Sequence, residues 1–358
     1  MNIKELDHLR TDKRIRFAEE TVGGETVTIV SYMIGDADLW AIPGAVECRG
    51  SVFDSNGECI SRAFQKFFNV GENEANQVYR LQGRQFEVLE KRDGSMLTPV
   101  LINGVVYWKT KKSFYSEVAV EASKNMVYAV NKLAKVCLEL GVTPIFEYTS
   151  PFNKIVLDYG DTPDFVLLAL RDIKTGEYCS HSKMNSIAAI AGVKVIDKFD
   201  KTLDNCLAEV DTLTDFEGWC LRDVSTGFYC KLKTAWYLRN HRAQTQLRER
   251  DVADMVIDET IDDIKSALAL DNFDLTDILR IESQVVADLS VTRSTVEDIV
   301  ANLPDKNDFK EIAGRYREHS MFGLIMTAVR GKEPDYKKYW NNYLRTKYSL
   351  KCVYNKNF

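Results

Sequence analysis

Hydrophobic and polar positions alternate along the first two thirds of the chain in the manner of β-strands. Residues 25–34 (ETVTIVSYMI) show this alternation clearly. Residues 96–110 form two β-rich runs joined by Asn103-Gly104, the dipeptide most typical of a tight hairpin. The same pattern predicts further strands at 143–148, 154–159 and 164–172 and a second hairpin at 218–233.

Apolar residues at steps of three and four predict helices in two places. One helix is predicted from Val118 to Leu140, and helical spacing dominates after about residue 242. We therefore predict an α+β fold with antiparallel sheets and flanking helices in residues 1–241 and an all-helical domain in residues 242–358. A chain of 358 residues is long enough for two domains with separate cores.

Composition argues against several classes of protein. No apolar run approaches the roughly 20 residues of a membrane helix, and the polar N-terminus lacks a secretory signal, so a cytoplasmic protein without membrane contact is expected. The eight cysteines lie ten or more residues apart and the four histidines are scattered. A zinc site or a histidine-based hydrolase therefore has little support, and any metal is expected on carboxylates.

The net charge of −6 is unevenly distributed, because residues 305–358 alone carry +6. This basic end contains the aromatic residues Tyr336, Tyr339, Trp340, Tyr343 and Tyr348. They suit phosphate contact and base stacking on RNA. A terminal amphipathic helix that packs its aromatic rings into a core explains them equally simply, and we prefer that interpretation.

The first candidate for chemistry is EVLEKRDGSM (87–96), where Lys91 follows a predicted strand. A KxDG tetrapeptide alone occurs by chance in roughly one chain in ten of this length, so an exposed lysine beside an Asp-Gly turn is a serious alternative. An attack on phosphorus needs the neutral amine. Lowering the pKa of Lys91 to near 7 takes roughly 4–5 kcal/mol. Gly94 leaves room for a ligand to approach.

Further charged residues lie in the downstream strands. Lys231 and Lys233 are two residues apart and so share one face of a strand. Glu217 opens the same hairpin. Glu147 lies in the apolar segment PIFEY, where a carboxylate is costly unless it has a partner.

Taken in order, these segments resemble the covalent nucleotidyltransferases, the superfamily of ligases and capping enzymes. The matching motifs are KRDGS (91–95), FEY (146–148), EG (217–218) and KLK (231–233). A closer resemblance to the phage RNA ligase 1 family of RNA-repair ligases rests on VECRG (46–50), FQKFFNVGEN (64–73), SPFNKIVL (150–157) and KLKTAWY (231–237). In the member we compare most closely an acidic residue stands where this chain has Arg92.

The resemblance assigns roles to individual residues. It implies that Lys91 is the nucleophile that becomes adenylylated and that the catalytic residues Lys231, Lys233 and Tyr237 assist it. It implies nucleotide-binding roles for Tyr32, Arg49, Lys66, Lys111 and Glu147. Glu217 is the implied metal ligand; the Asp262-Asp263 pair resembles one that holds a second magnesium, although a helix-surface role fits Asp262 as well.

The function that the resemblance implies is an ATP-dependent RNA ligase with a nucleotidyltransferase domain and an RNA-specifying helical domain. It would use ATP and Mg²⁺ or Mn²⁺ to join a 5′-phosphate to a 3′-hydroxyl through lysyl-AMP and an adenylylated RNA end. The expected substrates are single-stranded or stem-loop RNA, with cleaved tRNA as a candidate, and a kinase/phosphatase that prepares the ends is a candidate partner.

Three other functions stay open. A DNA ligase and an mRNA guanylyltransferase belong to the same superfamily, but both append a β-barrel domain where this chain has helical spacing. A non-catalytic RNA-binding protein that uses the basic end is the third.

Overall fold

The computed structural model describes residues 1–240, 246–270, 274–348 and 352–355. The chain forms two compact units, and the first is discontinuous in sequence. The first unit comprises Met1–Met33, Leu39–Ala243 and Asp262–Asn272, and the second comprises Ile34–Asp38, Gln244–Ile261 and Phe273–Phe358.

The first unit is built on three sheets whose strands are almost all antiparallel. The first sheet has the order β1-β2-β3-β4, with β1 (Ile15–Val22), β2 (Glu25–Tyr32), β3 (Arg49–Phe53) and β4 (Cys59–Ser61). The second has the order β10-β9-β7-β8, with β7 (Ser95–Ile102), β8 (Val105–Lys109), β9 (Val142–Thr149) and β10 (Asp164–Asp172). The prediction of an antiparallel α+β fold is confirmed.

Asn103-Gly104 forms the predicted turn between β7 and β8. Both residues have positive φ, 50° and 77°, as a two-residue hairpin of the primed type requires.

The third sheet carries most of the charged residues singled out above. Its order is β11-β6-β12-β13-β5, with β5 (Phe68–Asn69), β6 (Phe86–Glu90), β11 (Lys198–Phe199), β12 (Gly218–Asp223) and β13 (Tyr229–Lys233). The hairpin predicted at 218–233 is therefore confirmed. The pair β13–β5 is parallel, an exception to the antiparallel pattern.

Helices flank these sheets. In chain order they are α1 (Ala37–Ala41), α2 (Val78–Leu81), α3 (Glu117–Lys124), α4 (Tyr128–Glu139), α5 (His181–Ala191), α6 (Leu203–Glu209) and α7 (Ala235–Asn240). The main core joins the second sheet to α4 and α5 through residues such as Leu133, Phe146 and Leu167, which are buried.

The prediction of one helix from Val118 to Leu140 is wrong, because α3 and α4 are separate. The first ends at Lys124, and Val127 precedes the second with extended backbone. The Asn125 side chain donates hydrogen bonds to the carbonyl and carboxylate of Glu121. An asparagine that bonds the last turn of a helix in this way competes with helix continuation.

The prediction of a strand at 154–159 is also wrong, since residues 150–163 form a loop of turns and bends. The amides of Val156 and Leu157 donate to Oδ2 of Asp93, at 2.8 and 2.9 Å, and not to a neighbouring strand. The alternation of apolar and polar residues in this segment therefore does not reflect pairing in a sheet.

The second unit is mainly helical, as predicted. Its helices are α8 (Glu249–Ile257), α10 (Thr276–Ala301), α11 (Phe309–Tyr316), α12 (Phe322–Val329) and α13 (Tyr336–Lys347). It also contains a short antiparallel ribbon of β14 (Gln246–Arg248) and β15 (Cys352–Asn355), so it is not helical throughout. Helix α9 (Ile261–Leu270) lies between α8 and α10 in sequence, but its residues from Asp262 belong to the first unit.

The aromatic residues of the basic end divide into two groups. Tyr336, Trp340 and Tyr348 are buried, as a packed amphipathic helix requires. Tyr339 and Tyr343 stack on each other near the surface, with ring centroids 6.1 Å apart. No described helix is both long enough and apolar enough to cross a membrane.

Candidate active site

Lys91 lies where β6 ends, beside the start of β12. Its amide donates to the carbonyl of Gly218 at 2.8 Å, which fixes the backbone of the two strand ends together. Its Nζ lies 2.7 Å from Oε1 of Glu217, a side chain that is only 2% exposed. Burial opposes the charged amine, but the attraction and hydrogen bond of Glu217, together with smaller contributions from Cys220 and Glu147, outweigh it and raise the pKa of Lys91. In the free protein this amine is therefore held protonated.

Lys231 and Lys233 point from one face of β13, as their spacing predicts. Lys233 Nζ lies 2.9 Å from Oε1 of Glu217, so one carboxylate oxygen contacts both Lys91 and Lys233. Burial lowers the pKa of Lys231, and the neighbouring amines of Lys66 and Lys233 lower it further, against the attraction of Asp263. Three amines thus face one small region of the first unit.

Gly218 allows the two strands of this hairpin to approach closely. Its φ is +145°, and a Cβ there would lie 2.0 Å from the carbonyl oxygen of Leu232. Any side chain would collide with the backbone of β13. The glycine of the Glu-Gly motif is therefore what places Glu217 beside Lys233.

Lys66 joins the same group of charges. Its Nζ forms an ion pair with Asp262 and lies 3.8 Å from Oε1 of Glu72. Burial opposes the charge on Lys66, but Asp262 and Glu72 outweigh it and raise its pKa. Glu72 also accepts from the amide of Asn69 at 2.7 Å, so the carboxylate is fixed by the backbone beside β5.

Asp93, which the sequence argument left without a role, links several parts of the site. Its Oδ1 accepts from the hydroxyl of Tyr237 at 2.7 Å, and its Oδ2 holds the loop 150–163 through Val156 and Leu157. Lys233 Nζ lies 4.6 Å from the centre of the Tyr237 ring. The phenol is therefore fixed between the nucleophile segment and the lysine pair.

Glu147 is buried in β9 near Lys91. Burial raises the pKa of Glu147 to about 8, while the attraction of Lys91 opposes the rise. A Cβ on Gly94 would lie 2.5 Å from the carbonyl oxygen of Tyr148 and 3.1 Å from Cγ of Glu147. Glycine is therefore needed at 94 for close packing against β9, a different reason from the ligand approach inferred from the sequence.

The remaining predicted residues form an aromatic and cationic edge. Lys111 Nζ lies 3.9 Å from the centre of the Tyr32 ring, and the Arg49 guanidinium lies 4.9 Å from that of Phe67. Tyr32 packs edge-on against Trp40, with centroids 4.9 Å apart. Trp40 also lies 5.4 Å from Nζ of Lys66, which connects this edge with the lysine group.

Arg92 points away from the nucleophile. Its guanidinium forms an ion pair with Asp164 at 3.1 Å and lies 4.1 Å from the centre of the Tyr159 ring. The Tyr159 hydroxyl accepts from the amide of Asp93 at 2.9 Å. Arg92 is therefore a contact of the loop 150–163.

Sequence reasoning missed Asp93 and Glu72 as members of this site. Both lie inside motifs that were recognised, KRDGS and FQKFFNVGEN, and a search for ionisable residues within those motifs would have found them. Asp263 was named only as part of an acidic pair, and nothing local indicated its lysine partners.

The site suits a polyphosphate better than a metal bound by protein alone. Lys66, Lys231 and Lys233 present converging amines. Within the described ranges, no group of three or more His, Cys, Asp or Glu side chains could hold a metal ion. Oε2 of Glu217 is buried, and the described residues offer it no hydrogen-bond partner. A carboxylate oxygen of this kind is chemically suited to bind a divalent cation.

Comparison with known proteins agrees with these features. A family model described as RNA ligase matches residues 47–237. A candidate RNA ligase of Thermovibrio ammonificans is 32% identical over 246 residues, which cover 66% of this chain and 64% of the relative. A candidate bifunctional polynucleotide kinase/RNA ligase of Autographa californica nuclear polyhedrosis virus is 25% identical over 88% of this chain and 49% of the relative. The chain thus spans less than two thirds of either relative.

Among solved structures, a candidate ATP-dependent DNA ligase of Aquifex aeolicus superposes with a TM-score of 0.52. The match covers 84% of this chain and 80% of that one at 10% sequence identity. This likeness supports the overall fold.

Proposed function

The chain belongs to the RNA ligase family, and from that premise we propose that it joins RNA ends with ATP through a covalent adenylate on Lys91. The observation that carries the proposal is the shared contact of Glu217 Oε1 with Lys91 Nζ at 2.7 Å and Lys233 Nζ at 2.9 Å. It brings a candidate nucleophile and a candidate phosphate-binding cation to one carboxylate.

The proposed reaction has three steps. The Lys91 amine attacks the α-phosphorus of ATP, a phosphoramidate bond forms, and pyrophosphate leaves. The 5′-phosphate of an RNA then attacks the same phosphorus, so that AMP passes to the RNA and Lys91 is released. Finally an RNA 3′-hydroxyl attacks the activated 5′-phosphate, a phosphodiester forms and AMP leaves.

Cationic residues of this chain would stabilise the negative charge of the phosphates during the reaction. Lys231 and Lys233 would stabilise negative charge on the α-phosphate, and Lys66, Arg49 and Lys111 would bind the remaining phosphates. Glu147 and Tyr32 would bind the nucleoside. These assignments rest on the grouping of the side chains and on their match to the family's motifs.

The proton on Lys91 must be removed before the first step. Glu217 stabilises the protonated amine, so its contact with Lys91 has to weaken when ATP binds. Glu217, whose Oε2 has no hydrogen-bond partner among the described residues, would help to hold a divalent cation, Mg²⁺ or Mn²⁺, which would neutralise phosphate charge when bound. We do not assign a metal to Asp262, because its carboxylate already pairs with Lys66.

We propose single-stranded or stem-loop RNA as the substrate, with cleaved tRNA as a candidate, and residues 242–358 as the part that selects it. The family match ends at residue 237, so these residues are where the chain goes beyond the family model. A kinase/phosphatase would supply the 5′-phosphate and 3′-hydroxyl ends that the reaction requires. The name of the viral relative includes both a polynucleotide kinase and an RNA ligase.

The test is incubation with ATP labelled at the α-phosphate, followed by denaturing electrophoresis. We expect label on the wild-type chain, none on Lys91→Ala, and full labelling of the control Lys132→Ala, whose lysine is exposed on α4. Absence of label on the wild type, or label from GTP alone, would overturn the proposal. A second assay compares single-stranded RNA, a cleaved anticodon stem-loop and nicked DNA; sealing of nicked DNA alone would make the chain a DNA ligase.

A further inference from the structure

The first turn of α9 places two adjacent carboxylates against the lysine group. Asp262 forms an ion pair with Lys66 and lies 3.5 Å from Nζ of Lys265. Asp263 lies 3.4 Å from Nζ of Lys231 and 2.9 Å from Nζ of Lys233. Two side chains thus occupy three amines that the proposed function assigns to phosphate.

This contact is fixed by the backbone as well as by charge. The Ser266 hydroxyl donates to the carbonyl of Val70 at 2.6 Å, and the Asn69 side chain donates to the carbonyl of Asp262 at 3.2 Å. Both bonds join α9 to the segment around β5. The carboxylates therefore lie at defined positions, and they are not chance partners of mobile lysine side chains.

The amines have little room for a second set of anions. The side chains of Lys66 and Lys233 are 7% and 8% exposed, so their ammonium groups are largely shielded from water. A buried cation binds the anionic oxygens that reach it, and a phosphate oxygen and a carboxylate oxygen need the same place.

We propose that Asp262 and Asp263 are an internal competitor for the polyphosphate of the nucleotide, so that polyphosphate binds only as the first turn of α9 leaves the lysines. This inference rests on the proposed function of those lysines. Helix α9 then acts as a gate on the nucleotide site. Its carboxylates close the gate by pairing with the lysines, and a ligand opens it when its phosphate oxygens bind the lysines more tightly than the carboxylates do.

The first experiment uses the wild-type chain and inorganic tripolyphosphate without divalent cations. Amide hydrogen exchange of residues 262–270 is measured with and without this ligand. We expect at least severalfold faster exchange when tripolyphosphate is bound, because the helix loses its ion pairs with the sheet. Unchanged or slower exchange in bound protein, or failure of tripolyphosphate to bind, overturns the proposal.

The second experiment is calorimetric titration of tripolyphosphate into Asp262→Asn/Asp263→Asn. The amides keep the shape of the side chains but remove their charge. We expect the Kd to fall about tenfold relative to wild type. The control is Asp204→Asn/Asp211→Asn, which removes two exposed negative charges from the first unit and should leave the Kd within about twofold. Weaker binding by the first variant would show that the carboxylates assist binding and would overturn the proposal.

If the double variant does not fold, Asp263→Asn alone and the exchange experiment still decide. Failure of the gate and failure of the proposed function are distinguishable. Labelling of Lys91 by ATP together with unchanged exchange in α9 refutes the gate alone, whereas absence of Lys91 labelling refutes the ligase.

Discussion

At the residue scale, the site is a set of buried charges whose protonation is set by their neighbours. Glu217 keeps Lys91 protonated, and Lys66 and Lys233 are likewise stabilised as cations by carboxylates. Removing one partner of a buried pair costs roughly 3–5 kcal/mol, since the other charge is left without compensation. These carboxylates thus stabilise the protonated lysines, and the proposed reaction requires a ligand that rearranges these charges.

Glu147 gives a prediction about pH. Its pKa is raised from 4.5 to about 8 in the folded chain. Between these values the unfolded chain releases a proton that the folded chain retains, so stability falls as pH rises, by up to about 1.4 kcal/mol per pH unit. Because a glutamine side chain cannot ionise, the stability advantage of Glu147→Gln over wild type should grow from pH 5 to pH 8 and then level off.

Thermal unfolding between pH 5 and 9 provides the measurement. The exposed Glu139→Gln, at the end of α4, serves as the control and should show no such trend. A difference between Glu147→Gln and wild type that stays constant with pH would contradict the raised pKa.

Arg92 gives a prediction about positioning. Because its guanidinium contacts Asp164 and Tyr159, Arg92→Gln should speed amide exchange in the loop 150–163 severalfold. The pH dependence of Lys91 labelling should stay as in wild type. Lys194→Gln is the matched control, since Lys194 pairs with the same Asp164 but is 70% exposed and should contribute little. A shifted pH profile would instead mean that Arg92 tunes Lys91.

At the element scale, the pairing of β12 with its two neighbouring strands positions the charged side chains of the site. The hairpin of β12 and β13 sets Lys231 opposite Cys220 and Lys233 opposite Gly218. Pairing of β12 with β6 brings the end of β6 to the same edge, where Lys91 follows. The amines of Lys91, Lys231 and Lys233 therefore lie close together because β12 pairs with both β6 and β13.

Gly218→Ala tests that arrangement. A Cβ would lie 2.0 Å from the Leu232 carbonyl oxygen, so we expect a loss of roughly 3 kcal/mol or more in the free energy of unfolding. Gly227→Ala is the control: its φ is +69°, but the nearest atom to the new Cβ is 4.0 Å away, and it should cost only about 1 kcal/mol. Urea unfolding followed by circular dichroism measures both, and equal losses would rule out the close approach as the cause.

The sequence patterns predicted an element correctly where neighbouring residues determine it, and they failed where its partners are distant in sequence. The Asn103-Gly104 hairpin and the 218–233 hairpin carry their turn signals within a few residues, and both were correct. The segment 154–159 alternates like a strand, but its amides bond to Asp93, more than sixty residues away. Asp262 pairs with Lys66, which is 196 residues away, and Asp263 pairs with Lys231 and Lys233, which are 32 and 30 residues away. The order of the motifs could therefore indicate the lysines but not the carboxylates of α9 that pair with them.

At the scale of the whole molecule, the first unit is not one stretch of sequence. It takes in Asp262–Asn272 after the chain has passed through residues of the second unit. The ion pairs of Lys66, Lys231 and Lys233 with α9 depend on that return. A boundary at 241, which we proposed from the texture of the sequence, would separate these lysines from their carboxylates.

Two fragments test the importance of the return. We expect a fragment of residues 1–241 to unfold at a lower temperature than one of residues 1–272, because the shorter one lacks the α9 carboxylates that pair with the buried Lys66, Lys231 and Lys233. The control is the longer fragment with Asp262→Asn/Asp263→Asn. Its unfolding temperature should fall most of the way to that of fragment 1–241. Equal unfolding temperatures for fragments 1–241 and 1–272 would mean that α9 adds nothing to the stability of the first unit.

The return of the chain at Asp262 also has a consequence for synthesis on the ribosome. Translation proceeds from the N-terminus, so β5, β6, β12 and β13 are made before the carboxylates of α9 exist. For that interval the nascent chain carries Lys66, Lys231 and Lys233 without the two carboxylates of α9, and among the described residues Lys66 and Lys233 can pair only with Glu72 and Glu217. The order of synthesis therefore makes the lysines of the site available before its last two carboxylates.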